Sequence, residues 1–281
     1  MQNGTYIGPN KSHAAYVWPL KTVGPRLADP NLKTLLMFNF FSKTKEPIKF
    51  WFSTDIHAHI LPGVDDGSPD VETSLRLVSS LRDLGIGKIL ASPHIARDTF
   101  ENSQAGLDNA LATLTAAMKT AGVDGITVDR HSENRIDDLF LANLNQANLK
   151  VLPGNYILIE NSFVQEPWDL DQVIFDLKVR GYNPILAHPE RYMYYHRSGD
   201  RYRNLHKQVL FQVNVLSLSG YYGKDIKRVA EKMMDDGMID FLGTDTHGMR
   251  HIDNFVQYLS TRDAERHARK LAGTVKNNIF D

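Results

Sequence analysis

Between residues 48 and 271 short apolar runs alternate with segments of helical period, and this alternation limits the fold more than any other feature of the chain. IKFWFSTDIH (48–57), KILASPH (88–94), GITVDRH (125–131), NYILIE (155–160), NPILAH (183–188), VLFQVN (209–214) and MIDFLGTD (238–245) read as strands. Helices fall between them. Val71, Leu75, Val78 and Leu81 recur at helical spacing behind Ser68 as N-cap and Pro69 at the first helical position. Leu107, Leu111, Leu114 and Met118 form a stripe over 103–121, and SENRIDDLFLANLNQANL (132–149) reads as mostly helical. Asp171 to Arg180 closes on Gly181, Asp225 to Asp236 closes on Gly237, and the tail from 254 to 271 is helical. Buried strands separated by helices make a parallel sheet, and their number fits a closed or nearly closed barrel forming a single α/β domain.

In such barrels chemistry sits where strands meet the loops that follow them. The expected strand ends carry His57, His59, His94, Glu160, His188, Asp245 and His247. His57 and His59 are two residues apart and share one face of an extended strand, so both rings converge on one point. Pro62-Gly63 and Asp66-Gly67 then turn the chain, bringing Asp65 and Asp66 back toward it. Any one of these histidines could simply cap a strand. Glu160, which ends an apolar run, needs a cation or a donor to stay ionised. Together they exceed the needs of one tetrahedral ion and point to two or three cations sharing Glu160. Imidazole and carboxylate without sulfur suit manganese, iron or zinc.

The chain of 281 residues has no cysteine, which excludes disulfides and any thiolate nucleophile. With 32 basic and 33 acidic residues it lacks the electrostatic footprint of a nucleic-acid binder. The sequence has neither a membrane-length apolar run nor a secretory leader pattern, so a cytoplasmic location is the default expectation. Residues 1–36 hold four prolines and three glycines without period and read as a loosely structured extension, the folded domain spanning 37–281 from Met37. Phe38, Phe40 and Phe41 read as packing or partner-contact residues.

DIHAHILPGVDDG, ASPH, ILIENSF, ILAHPERY and GTDTHG resemble the motifs of the polymerase and histidinol phosphatase (PHP) superfamily, and within it the manganese-dependent protein tyrosine phosphatases of bacterial capsular and exopolysaccharide loci. The resemblance runs from about Met37 to the C-terminus, and GYNPILAHPERY and QVNVLSLSGYYG make it specific. It implies a distorted (βα)7 barrel with three metal ions. His57, His59, Glu160 and Asp245 would hold the first, Glu160 and His188 the second, and Asp66, His94 and His247 the third. Arg191 would bind the phosphate. The substrate implied is a phosphotyrosine protein, a bacterial tyrosine kinase among the candidates, in the regulation of polysaccharide synthesis or export; an oligomer is compatible with the sequence.

Charge dictates the rest. A phosphomonoester dianion repels its nucleophile, so clustered cations must neutralise it and ionise water; a metal-bridging hydroxide attacking in line is the expected route. Tyrosine, with a phenol pKa of about 10, leaves with little acid assistance; Asp66 and His247 are the candidates for any acid. Arg97, Arg135, Arg250 and His251 fall near loop mouths, as substrate contacts or as solvated surface charges, Asp55 is expected to orient a ligand histidine, and Trp51 belongs to the core. Tyr192, Tyr194, Tyr195, Tyr221 and Tyr222 either pack or shape a peptide rim. The alternatives are a small-molecule phosphatase of the histidinol phosphate type, a PHP nuclease and a non-catalytic PHP module.

Overall fold

A computed structural model describes residues 46–281; the expected extension, Met37 and the phenylalanines that follow it lie outside the described residues. Among the described residues nine strands occur, β1 (Thr54–Asp55), β2 (Lys88–Ala91), β3 (His94–Ile95), β4 (Thr127–Arg130), β5 (Glu133–Arg135), β6 (Tyr156–Glu160), β7 (Asn183–Ala187), β8 (Leu210–Asn214) and β9 (Phe241–Gly243). All pair in parallel, in the orders β1-β2-β4 and β3-β5-β6-β7-β8-β9. Pro93, which has no N–H, interrupts the ladder between β2 and β3, and His131-Ser132 interrupts it between β4 and β5. Hydrogen bonds from Ser92 N to Ala58 O (2.9 Å) and from Glu133 N to Pro93 O (3.1 Å) carry the pairing across both gaps. At the other edge Asp245 N donates to His57 O (2.7 Å) and His59 N to Thr246 O (2.9 Å), tying the last strand segment to the first. The result is a mixed α/β fold whose parallel strands form one curled wall.

Alternation along the later strands sorts two cores. Leu158, Ile185, Ala187 and Phe241 pack with Ile56, Leu90 and Phe280. Ile157, Ile159, Leu186, Phe211, Val213 and Leu242 pack on the other side with the helices. Strands buried on both faces read as near-continuous apolar runs, as in other parallel sheets. Glu160 continues the parity of Leu158, Gln212 that of Leu210, and Asp245 that of Phe241, so polar groups collect inside the wall at its C-terminal end.

Helices α1 (Val71–Asp83), α2 (Gln104–Ala121), α3 (Asp138–Asn145), α4 (Leu170–Val179), α5 (Gly199–His206), α6 (Val215–Ser219), α7 (Lys224–Asp235), α8 (Met249–Leu259) and α9 (Arg262–Leu271) connect the strands and follow them. Several differ from the sequence reading. Asp70, not Ser68, caps α1, its carboxylate accepting Thr73 N–H at 2.7 Å; Ser68 is held instead by Ser74. The tail is two helices, because the Thr261 hydroxyl caps Ala264 N–H and starts α9 afresh. The run 48–57 contributes only β1 to the ladder, although Phe50 and Phe52 are buried as expected. Trp51 packs, half-buried, on the core. The largest revision is 132–149: Asp137 caps α3 through Phe140 N–H (2.9 Å), which leaves Glu133–Arg135 extended as β5.

Candidate metal centre

Strand register assembles the site. His94 on β3 lies opposite Glu133 on β5, and Arg135 opposite Glu160 on β6. The Glu133 carboxylate is fully buried at the middle of an imidazole ring cluster: its Oε2 lies 3.3 Å from His57 Nε2, 3.4 Å from His59 Nε2 and 3.0 Å from His94 Nδ1, and its Oε1 lies 3.1 Å from His188 Nε2. Asp245 Oδ1 faces the same group at 3.4 Å from His57 Nε2 and 3.5 Å from His59 Nε2. Asp66 Oδ1 is 3.5 Å from both His94 Nε2 and His247 Nε2.

Glu160 lies on the His188 side of the cluster, one of the two places the sequence expects of it. Its carboxylate pairs with Arg135 (3.1 Å) and approaches His188 Nε2 at 3.7 Å, while the place beside His57 and His59 belongs to Glu133. Sequence reasoning missed Glu133 because the strand seemed to end at His131. The usable signal was the Ser92-Pro93-His94 pattern, a strand that resumes two residues after a break.

Other buried groups aim the rings. Gln212 Oε1 takes His57 Nδ1 at 2.6 Å, Gln212 Nε2 donates to Asn214 Oδ1 (2.9 Å), and Asn214 Nδ2 donates to Asp245 Oδ2 (2.6 Å). Asp65 Oδ2 takes His59 Nδ1 at 2.8 Å. These contacts hold each ring by Nδ1 and leave Nε2 for the centre. Asp55 does not touch an imidazole; it accepts His57 N–H and Thr244 N–H, both at 3.1 Å, and fastens β1 to the chain beyond β9. His188 (φ 33°) and Asp245 (φ 50°) adopt left-handed backbone, strain typical of a functional site. Gly67 has no room for a side chain, since a Cβ would lie 2.2 Å from His59 O. Gly67→Ala is therefore expected to displace His59, lowering divalent-cation affinity at least about tenfold by calorimetric titration while far-UV circular dichroism stays native-like.

Electrostatically the cluster calls for positive charge. Burial alone would lower His57, but the Glu133 and Asp245 carboxylates hold it up at about 10, and Glu133 likewise holds His94 up at about 9. Burial pushes Glu133 up, and His57 and His94 outweigh it, holding the carboxyl well below its usual range. His57 Nε2, His59 Nε2 and Glu133 Oε2 are buried without a hydrogen bond. His57, His59 and Glu133 offer atoms within 4.8 Å of one another, as do the sets His57/His188/Asp245, His94/Glu133/Glu160 and His59/Asp66/His94/His247. Once the rings give up their protons, these converging nitrogens and carboxylate oxygens have no other partner and fit divalent cations.

A cavity of about 360 Å³ opens over the cluster. Arg191 lines it, with Nη1 2.7 Å from Asp245 Oδ2 and the guanidinium between the rings of Phe163 (4.8 Å) and Tyr222 (4.5 Å). Arg135, Tyr221 and His251 also line it. Arg97 and Arg250 lie outside this lining: Arg97 pairs with Glu101 at 3.3 Å and Arg250 lies over the Tyr221 ring. Tyr192 and Tyr195 are core residues, and Tyr194 stacks on Tyr192.

Glu190, next to Arg191, is fully buried; its Oε1 accepts Asn214 N–H (2.9 Å) and the Ser217 hydroxyl (2.6 Å), and Oε2 has no partner. Burial pushes its carboxyl up to about 7. With the folded value above the ordinary one, the folded chain binds the proton more tightly, so stability falls as pH rises from about 4.5 to about 7 and is level above. Glu190→Gln is expected to gain roughly 2 kcal/mol, about 5 °C in Tm, at pH 8 and to lose most of that gain at pH 5, as read by scanning calorimetry.

Comparison with known proteins agrees with this architecture. Tyrosine-protein phosphatase YwqE of Bacillus subtilis (strain 168) is 30% identical over 198 residues, 70% of this chain and 78% of YwqE. The putative tyrosine-protein phosphatase CapC of Staphylococcus aureus is 26% identical over 79% of this chain and 88% of its own length. A solved chain from the crystal structures of YwqE and of Streptococcus pneumoniae CpsB, described as unique metal-dependent tyrosine phosphatases, superposes with a TM-score of 0.67 at 27% identity, covering 79% of this chain and 95% of that one. Residues 53–280 match the family described as Capsular polysaccharide synthesis, CpsB/CapC, and the chain belongs to that family.

Proposed function

We propose that this protein hydrolyses phosphotyrosine in proteins with divalent cations held around Glu133. The observation that carries the reading is the set of buried, unsatisfied donor atoms of His57, His59 and Glu133 beneath a cavity walled by Arg191. The tyrosine phosphatases among its relatives support it. His57, His59, Glu133 and Asp245 would hold one cation, Glu133, Glu160 and His188 a second, and Asp66, His94 and His247 a third. Manganese is the ion proposed, in keeping with oxygen and imidazole donors. Bound there, the cations supply the positive charge that neutralises the phosphate dianion and acidifies water.

The chain's own residues do the remaining work. Arg191 is pinned by Asp245 and by two aromatic faces, so its free N–H groups stay directed at the phosphate oxygens without reorganising. Phe163 and Tyr222 keep the wall beside it apolar and are shaped to flank an aryl ring. The phenolate leaves with little help from an acid, in keeping with a phenol pKa of about 10, and Asp66 and His247 at the mouth are left to serve the third cation position. Seven strands follow if β2 with β3 and β4 with β5 are single strands broken at Pro93 and His131, in line with a (βα)7 barrel. The substrate proposed is a bacterial tyrosine kinase of polysaccharide synthesis or export, met in the cytoplasm; among the described residues no helix is long and apolar enough to cross a membrane.

The test is hydrolysis of a phosphotyrosine peptide beside histidinol phosphate, with and without chelator. Chelation is expected to lower peptide hydrolysis at least about a hundredfold, with recovery on adding Mn2+, and thiol alkylation to leave it unchanged, as the chain has no cysteine. Activity that survives thorough chelation, or a preference for histidinol phosphate, overturns the proposal.

A further inference from the structure

Helix α4 is apolar on two opposite sides. Leu170, Val173, Ile174 and Leu177 face the core. Away from them, Phe175 is 61% and Val179 69% exposed, and Trp168, just ahead of the helix, is 94% exposed. Positions 172, 175 and 179 recur at helical spacing, so Gln172, Phe175 and Val179 form one outward stripe, and Trp168 stands exposed in the turn that leads into it. Apolar groups in line on a surface mark a contact. The stripe is also presented from a firm base. Arg201 holds Glu166 with both Nε and Nη2 at 2.9 Å and Asp171 at 3.1 Å, while the Tyr195 hydroxyl donates to Glu166, anchoring the loop that carries Trp168.

The charges beside the stripe say what covers it. Asp169 and Asp171 stand at the N-terminal end of α4, Lys178 and Arg180 at the C-terminal end. Asp171 shares Arg201, whereas Asp169 has no cationic partner among the described residues. Lys178 reaches a backbone carbonyl, that of Gln208 (3.1 Å), and Arg180 donates to Leu144 O and Asn145 Oδ1, so neither cation is neutralised. Two copies related by a twofold axis perpendicular to α4 would set these helices antiparallel. The acidic end of each then lies on the basic end of the other, with the apolar stripes between.

We infer that this chain forms a twofold dimer through α4, with Trp168, Phe175 and Val179 of each copy packed together and Asp169 facing Arg180 of the other copy. A helix of ten residues spans about 15 Å, so the contact is smaller than a standard interface and its dissociation constant falls in the micromolar range. Dimerisation of this kind depends neither on cations nor on catalysis.

Sedimentation velocity of the full chain from about 1 to 300 µM tests it. Mass should rise with concentration from monomer to dimer. Phe175→Glu should raise the dissociation constant at least tenfold, as should Asp169→Arg or Arg180→Glu alone, and combining these two should restore the dimer because the charges are exchanged; circular dichroism checks that each variant is folded. A wild-type chain that stays monomeric throughout, or a dimer indifferent to Phe175→Glu, overturns the inference. So does a monomer that binds vesicles of phosphatidylglycerol and phosphatidylcholine and loses that binding in Phe175→Glu, since the stripe would then belong to a lipid surface.

Discussion

Glu133→Ala is expected to lower kcat/KM for a phosphotyrosine peptide by at least about a thousandfold, equivalent to roughly 4 kcal/mol in the transition state. One carboxylate meets four imidazole rings, those of His57, His59, His94 and His188. Its loss removes a donor shared between two proposed cation positions and also the largest influence that keeps protons on His57 and His94. Both rings should then lose their protons at lower pH, with burial prevailing, and proton NMR of the metal-free variant reads this directly. In the metal-free wild type the raised values of about 10 and about 9 mean that the stabilisation from these two pairs is complete below about pH 6.5 and is lost as pH climbs through 9 to 10. Cation binding must displace those protons, so affinity should increase with pH over the same interval. Near-normal activity and metal content in Glu133→Ala would remove the basis for the proposed centre.

Arg191→Lys is the second large effect, expected to lower kcat/KM about a hundredfold, near 3 kcal/mol, and to weaken inhibition by inorganic phosphate in parallel. A lysine keeps the charge but gives up the planar fork and the stacking between Phe163 and Tyr222. Arg191 also presses its charge against Asp245, at 2.7 Å, so removing it with alanine takes a competing cation away from that carboxylate. Metal content in Arg191→Ala should therefore be retained or increased while phosphate affinity falls. A parallel loss of metal would make Arg191 a support of the cluster rather than a contact for the substrate.

Residues at strand ends were legible because their chemistry and their register agree. His57 and His59 sit two apart, His188 closes an apolar run, and Asp245 with His247 repeats the spacing; the fold brings all of them to one cavity or directly beneath it. Glu133 was hidden by its neighbours. Asn134, Arg135, Asp137 and Asp138 favour turns and helices as readily as strands, and only the cap at Asp137 sets the boundary. Gln212, a fully buried amide in an apolar strand, carried a readable signal that went unused: such a group needs a partner, and it holds His57. Asp55 shows the opposite failure, since proximity in sequence to two histidines suggested a contact with a ring, whereas two backbone N–H groups claim its Oδ1 and the Thr244 hydroxyl its Oδ2. Exposure along α4 could not be read at all, because an apolar residue in a short helix carries no mark of which neighbour it lacks.

The seam between the first and last strand segments bears on how the site comes together. Thr244 reaches back 189 residues to the Asp55 carboxylate, and Asp245 joins His57 across the same junction. Both histidines that face the Asp245 carboxylate come from one edge of the wall and Asp245 itself from the other. A finished seat for an ion therefore exists only once the two edges have met, so cation binding and closure of the wall reinforce each other.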